Sequence, residues 1–237
     1  SRLADSISPS PILTIAAQIN AKKAAGEKIY NFTIGDFDPT IYPIPELLTA
    51  ETIKAYKNHE TNYPGALGLP ELRAGVADTL NRICGLDYTA EEVQIASGSR
   101  PLIYTCYQSI VDPGDKVVYP GPSWNNDYYT LLTGTEPVVV EASPETNFMP
   151  TADQLRPHLQ DAQLLALCSP QNPTGTVFAR QQLKEICELV LEVNRGRSSE
   201  EKPLYVMFDQ VYWLLTFGDV EFHHPLAVCP ELKDYAI

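Results

Sequence analysis

Basic residues are scarce in this chain: 17 lysines and arginines stand against 30 aspartates and glutamates over 237 residues, a net charge of −13. Nucleic acids and anionic membrane surfaces are held by clustered Lys and Arg, so no nucleic-acid or membrane partner is expected. Long apolar runs are missing too, with none approaching the ~20 residues of a membrane span. The start, Ser1-Arg2-Leu3-Ala4-Asp5-Ser6, lacks the apolar core of a secretion signal. Cysteine is sparse and odd in number: Cys84, Cys106, Cys168, Cys187 and Cys229 sit among apolar residues and form no Cys-x-x-Cys. They are expected to be reduced core residues of a cytoplasmic protein. The four histidines show no metal-ligand spacing, so no zinc is expected. His223-His224, next to Pro225, reads as a solvated loop. Nucleotide-binding glycine patterns are also absent: Gly98 stands alone, and no Gly-Lys-Ser/Thr occurs.

What is present suffices for one large domain or two modest ones, with 44% apolar residues. Ile12, Ile15, Ala16 and Ile19 recur at helical spacing, and Lys22, Lys23 and Gly26 form a suitable C-terminus. Residues 29–34 alternate and predict a short strand leading into a turn at Gly35. Gly35 serves either a plain turn or a close approach by a ligand. Helices are predicted from Pro45 to Tyr56 and from Pro70 to about Cys84, with Tyr63 exposed between them. From about residue 90 strands and helices alternate. The strands are placed at residues 93–96, 116–119, 137–141, 164–168 and 204–208, with another beginning at Tyr235. This order implies an α/β layer fold with a largely parallel sheet.

The polar groups of interest fall at the ends of those strands. Ser97-Gly98-Ser99-Arg100 precedes an apolar helical run from Leu102 to Ile110. A helix N-terminus with free N–H groups, hydroxyls and an arginine suits a phosphate; ordinary capping by Ser97 or Ser99 fits equally. Trp124 follows a strand, where its ring either stacks on a planar ligand or joins the core. In Cys168-Ser169-Pro170-Gln171-Asn172-Pro173-Thr174-Gly175, prolines hold Asn172 in an extended or turn conformation at a buried strand's end. Asp209 closes an apolar run and precedes Tyr212. An acid there is costly unless paired, so the pair reads as a site, with a helix N-cap as the plain alternative. Their convergence says more than any one member.

Ser169 to Gly175 followed by Asp209-Gln210-Val211-Tyr212 resembles the pyridoxal-phosphate aminotransferases of fold type I, the aspartate aminotransferase class. Tyr63-Pro64, Gly68 to Arg73, Asp112 to Asp115 and Pro120 to Trp124 match in the same order, over nearly the whole chain. The resemblance implies a three-layer α/β/α large domain over residues 36–237, incomplete at its C-terminus, after an N-terminal arm and small-domain segment over 1–35. It implies pyridoxal 5'-phosphate as cofactor. Asp209 would keep the pyridine nitrogen protonated, Asn172 and Tyr212 would bond the ring oxygen, and Trp124 would stack on the ring. Gly98, Ser99 and Arg100 would hold the phosphate, with Tyr63 reaching it from the partner subunit of a homodimer. Gly35, Trp124 and Asn172 would lie at the substrate, and the Asn172–Pro173 bond is a candidate cis peptide.

The departures are as informative. The family's catalytic lysine follows a serine just beyond a strand like the one beginning at Tyr235, and none of this chain's nine lysines follows a serine. The lysine is therefore expected beyond Ile237, as is the arginine that clamps the substrate carboxylate, in an enzyme of which these residues are the N-terminal segment. The activity implied is transfer of an amino group between an amino acid and a 2-oxo acid. The alternatives on the same fold are a lyase, an aminocyclopropane-carboxylate-synthase-like enzyme and an inactive relative. Tyr128, Tyr129 and Trp213 are expected to pack in the core rather than select an aromatic substrate.

Overall fold

The structure, a computed structural model, describes residues 1–7, 11–33, 35 and 37–237. It divides into two compact units, Ser1–Tyr63 and Pro64–Ile237.

The first unit holds α1 (Arg2–Ser6), α2 (Pro11–Ala24) and α3 (Glu46–Lys57). The last turn of α2 carries Lys22 and Lys23, and Gly26 follows at φ 85, as the sequence implied. The strand predicted over 29–34 is corrected: residues 29–33 form none, and Ile34 lies outside the described residues. Tyr30 and Phe32 are 73% and 93% exposed, so the alternation there buries no face that could pay for pairing.

The second unit begins with α4 (Pro70–Cys84), opened by Pro70 in its first turn and ended by Gly85 in the left-handed region. Residues 93–96 are a second correction. Val93 is extended, yet Ile95 N–H reaches only Leu67 O and the segment pairs with no strand. Then come α5 (Ser99–Ile110), β1 (Lys116–Gly121), α6 (Asn126–Thr133), β2 (Glu136–Glu141), α7 (Ala152–Leu159), β3 (Ala162–Cys168), α8 (Arg180–Gly196), β4 (Tyr205–Asp209) and α9 (Pro225–Val228). The helix after Gly98 thus starts at Ser99, a turn earlier than its apolar run suggested. Tyr235 ends a 3₁₀ segment, and only Ala236 bridges onward, to Val206.

All pairings of the sheet are parallel, in the order β2-β1-β3-β4. Successive side chains point to opposite faces of a strand, and both faces are covered. Leu165, Leu167 and Val206 pack with α8 residues such as Leu183, Ile186 and Val190 in one cluster. Leu164, Ala166 and Met207 pack with Tyr107 of α5 and Tyr129 of α6 in the other. This two-sided burial explains why β3 reads as an unbroken apolar run. No helix among the described residues is long and apolar enough to cross a membrane.

Candidate functional site

The strand order creates the site. The chain passes from β1 outward to β2, returns to β3 beside β1, and then proceeds to β4 on the other side. Connections therefore leave the carboxyl ends of β1 and β3 in opposite directions. Open α/β sheets bind ligands in that crevice. Trp124 follows β1, Asn172 follows β3, and Asp209 is the last residue of β4. In register Cys168 faces Asp209, and both lie on the same sheet face as Met207, the face covered by α5 and α6.

A single cavity there is lined by Ser99, Arg100, Trp124, Asn172, Asp209 and Tyr212, all named from the sequence. Gly98 does not line it. It is the N-cap of α5 at φ 95, a conformation that favours glycine, and it delivers Ser99 and Arg100 to the cavity. No side chain caps α5, so the capping role weighed for Ser97 or Ser99 is not what these serines do. Gly35 and Tyr63 belong to the first unit, and both are exposed.

Sequence reasoning missed Asn126, Tyr129 and Cys168, which also line the cavity. Trp124 at a helix entrance, with Asn126 and Tyr129 spaced three apart behind it, was the available signal. Tyr129 does pack in the core, as expected, but it also faces the cavity. Burial pushes the Cys168 thiol up to about 12, helped by nearby Asp209, so it is a thiol and not a thiolate.

Asp209 defines the electrostatics. Its half-buried carboxylate accepts one hydrogen bond, from Val211 N–H to Oδ1 at 3.0 Å. Burial raises its pKa, and that one bond offsets the rise only in part. The turn it closes is local, and residues 210–213 are not helical, so Asp209 is not a helix N-cap. Among the described residues no cation pairs with it, and no hydrogen bond or ion pair engages the Arg100 guanidinium, the Asn172 side-chain amide or the Tyr212 hydroxyl. Arg100 stands in the first turn of α5, which holds no acid; a cation there opposes the helix dipole unless an anion joins it.

The Asn172 loop is rigid for local reasons. Gln171 N–H donates to Thr176 O and Gly175 N–H to Gln171 O, both at 2.7 Å, with Gly175 at φ 72. Ser169 N–H donates to Asp209 O at 3.0 Å, tying the loop to the end of β4. The Asn172–Pro173 bond is cis, as are Ser169–Pro170 and Gly121–Pro122.

One correction falls outside the cavity. His224 is not a solvated loop residue: it is half-buried, caps α9 by accepting from Leu226 N–H at 3.1 Å, and lies against the rings of Tyr88 and Phe208.

A family model described as aminotransferase class I and II matches residues 27–236. The aspartate aminotransferase of Streptomyces avermitilis is 36% identical over 234 residues, covering 98% of this chain and 54% of that protein. The probable aspartate/prephenate aminotransferase of Rickettsia felis is 31% identical over 233 residues, covering 97% of this chain and 54% of its own length. Among solved structures, aspartate aminotransferase from Thermus thermophilus with maleate superposes with a TM-score of 0.85 at 28% identity, over 100% of this chain and 58% of that one. The chain thus spans about half the length of the curated relatives it matches.

Proposed function

Because this chain belongs to the aminotransferase class I and II family, we propose that the protein transfers an amino group between an amino acid and a 2-oxo acid through pyridoxal 5'-phosphate. The observation that carries the reading is the polarity of one cavity. Its lining brings together a carboxylate that pairs with no cation among the described residues, an unpaired arginine and a helix N-terminus without a side-chain cap. A ring with a protonatable nitrogen and a phosphate suits that donor set.

When bound, the cofactor supplies an electron sink for the carbanion left by loss of the substrate's α-proton. The rest falls to the protein. Asp209, short of hydrogen-bond donors and raised in pKa, holds a proton at the ring nitrogen and becomes fully ionised by that pairing. Ser99 and Arg100, with the first N–H groups of α5, hold the phosphate. Trp124 covers one ring face and limits water there. Asn172 and Tyr212 bond the ring oxygen and orient the ring, with Gly35 and Asn172 near the substrate. No lysine lines the cavity. The lysine that joins the cofactor and moves the α-proton is proposed to lie outside these residues, with the arginine that binds the substrate carboxylate. A cytoplasmic homodimer, with Tyr63 at the partner's phosphate, belongs to the same proposal. So does the division into an arm and small-domain segment over 1–35 and a cofactor domain from 36.

The test uses the intact protein. Purified with pyridoxal phosphate, it is expected to show visible cofactor absorbance that borohydride fixes onto a lysine, and to exchange that absorbance on adding an amino acid. Aspartate is the first to try, given the names of the relatives. Asp209→Ala is expected to weaken cofactor binding by roughly two orders of magnitude. Absence of borohydride-fixed cofactor in the wild type would sink the reading.

A further inference from the structure

Asn126 opens α6 at the wall of the cavity, and both ends of its amide are engaged. The Tyr107 hydroxyl donates to its Oδ1 at 2.8 Å, and its Nδ2 donates to Ser123 Oγ at 2.6 Å. Tyr107 is a fixed anchor: its residue has no exposed surface, and its ring lies 5.5 Å from that of Tyr129. A buried hydroxyl that lost its acceptor would keep its desolvation cost, so the amide is held in one orientation. Ser123, at the other end, immediately precedes Trp124.

The same segment is tied from its opposite side. Gln171, only 2% exposed, donates from Nε2 to Pro122 O at 2.6 Å. Pro122 and Ser123 are therefore braced between α5, through Asn126, and the Asn172 loop, through Gln171. Trp124 needs such a brace. It is 36% exposed, so part of its surface has no protein packed against it.

We infer that Asn126 is a positioning residue which, anchored by Tyr107 and acting through Ser123, holds the Trp124 ring in the plane on which a flat ligand stacks. The ligand's identity rests on the pyridoxal-phosphate reading; the brace is a property of the protein without it.

The experiment starts from the intact protein carrying W213F, with any tryptophan outside these residues also replaced by phenylalanine, so that Trp124 is the one fluorescent indole. N126L keeps the bulk and removes both hydrogen bonds. Y107F removes the anchor alone, and covers the case in which N126L fails to fold. N126D restores a chain of bonds, because Ser123 and Tyr107 can each donate to a carboxylate oxygen. Without cofactor, N126L and Y107F are expected to raise acrylamide quenching and lower the anisotropy of Trp124, and N126D to recover most of both. With cofactor, the dissociation constant of pyridoxal phosphate is expected to rise about tenfold in N126L. In a W124A background the same substitution should change it less than about twofold. Unchanged quenching in both N126L and Y107F, or an equal loss of affinity with and without Trp124, overturns the inference. A wild type that does not bind pyridoxal phosphate overturns the cofactor reading instead, and the quenching data then decide the brace alone.

Discussion

His224 sets up an acid sensitivity whose size follows from its surroundings. Burial lowers its pKa from 6.5 to about 4, so the folded protein keeps the ring neutral while the unfolded chain protonates it. The folded value is depressed, so its contribution is full above pH 6.5 and is lost as pH falls from there towards 4. Integrating that difference gives roughly 2–3 kcal/mol between about pH 7.5 and about pH 4.5. Glu92 and Glu221 line the cavities beside the ring, but Glu92 is held by Lys233. The discriminating variant is His224→Asn. Asparagine caps a helix by accepting the same N2 N–H, here that of Leu226, and does not titrate. It loses the contacts with Tyr88 and Phe208, so it should be less stable at neutral pH by about 1–2 kcal/mol. Its stability should also fall less steeply with acid. Urea unfolding of both proteins across this range measures the two slopes. Carboxylates with lowered pKa values, such as Asp115 and Asp161, titrate lower and equally in both, so they cancel in the difference. Parallel curves for wild type and variant would refute the reasoning, since the ring would then titrate alike in the folded and unfolded states.

Arg100→Ala should raise the dissociation constant of pyridoxal phosphate about tenfold to a hundredfold. It should leave that of pyridoxal, which lacks the phosphate, nearly unchanged; equal losses for both would mean that Arg100 does not meet the phosphate. Leu165→Ala, in the middle of β3 with no exposed surface, should cost about 2–5 kcal/mol in denaturant unfolding without changing the slope. Gly121→Ala would place a Cβ 2.9 Å from Val139 Cγ1 and 3.3 Å from Glu141 Oε2. The expected cost is about 1–3 kcal/mol, and Val139→Ala should recover much of it, a coupling read from the double-mutant cycle.

The sheet was legible where burial is two-sided. β3 and β4 are apolar runs because helices cover both faces, and any register keeps them so. Helix limits were legible where chemistry marks them, as at Pro70 and Gly85. The failures share one physical origin: pairing is not a local property. Residues 29–33 and 93–96 have strand-like composition, but a strand exists only with a neighbouring strand to pair with, and neither segment has one among the described residues. His224 failed differently. Two adjacent histidines before a proline look like solvated polar residues, and only the folded chain shows the rings of Tyr88 and Phe208 closing over one of them.

The candidate site residues gather in one place, and the topology explains why. Six polar residues spread from Ser99 to Tyr212 meet in one cavity. No spacing rule links them, since more than a hundred residues separate the first from the last. What links them is that each follows, or ends, a strand of one parallel sheet, or opens the helix behind it. A parallel sheet places all its carboxyl ends on one side, so polar residues that close apolar runs must gather there. Asn126 and Cys168 hold the same kinds of position, the start of α6 and the end of β3, but escaped because the sequence there shows an ordinary helix start and an ordinary core cysteine. Their part depends on side-chain direction: Cys168 shares the sheet face of Met207, and Asn126 turns its amide between Tyr107 and Ser123. The strand ends fix which residues reach the cavity. The hydrogen bonds behind them decide how firmly each is held, and that second layer becomes visible only once the chain is folded.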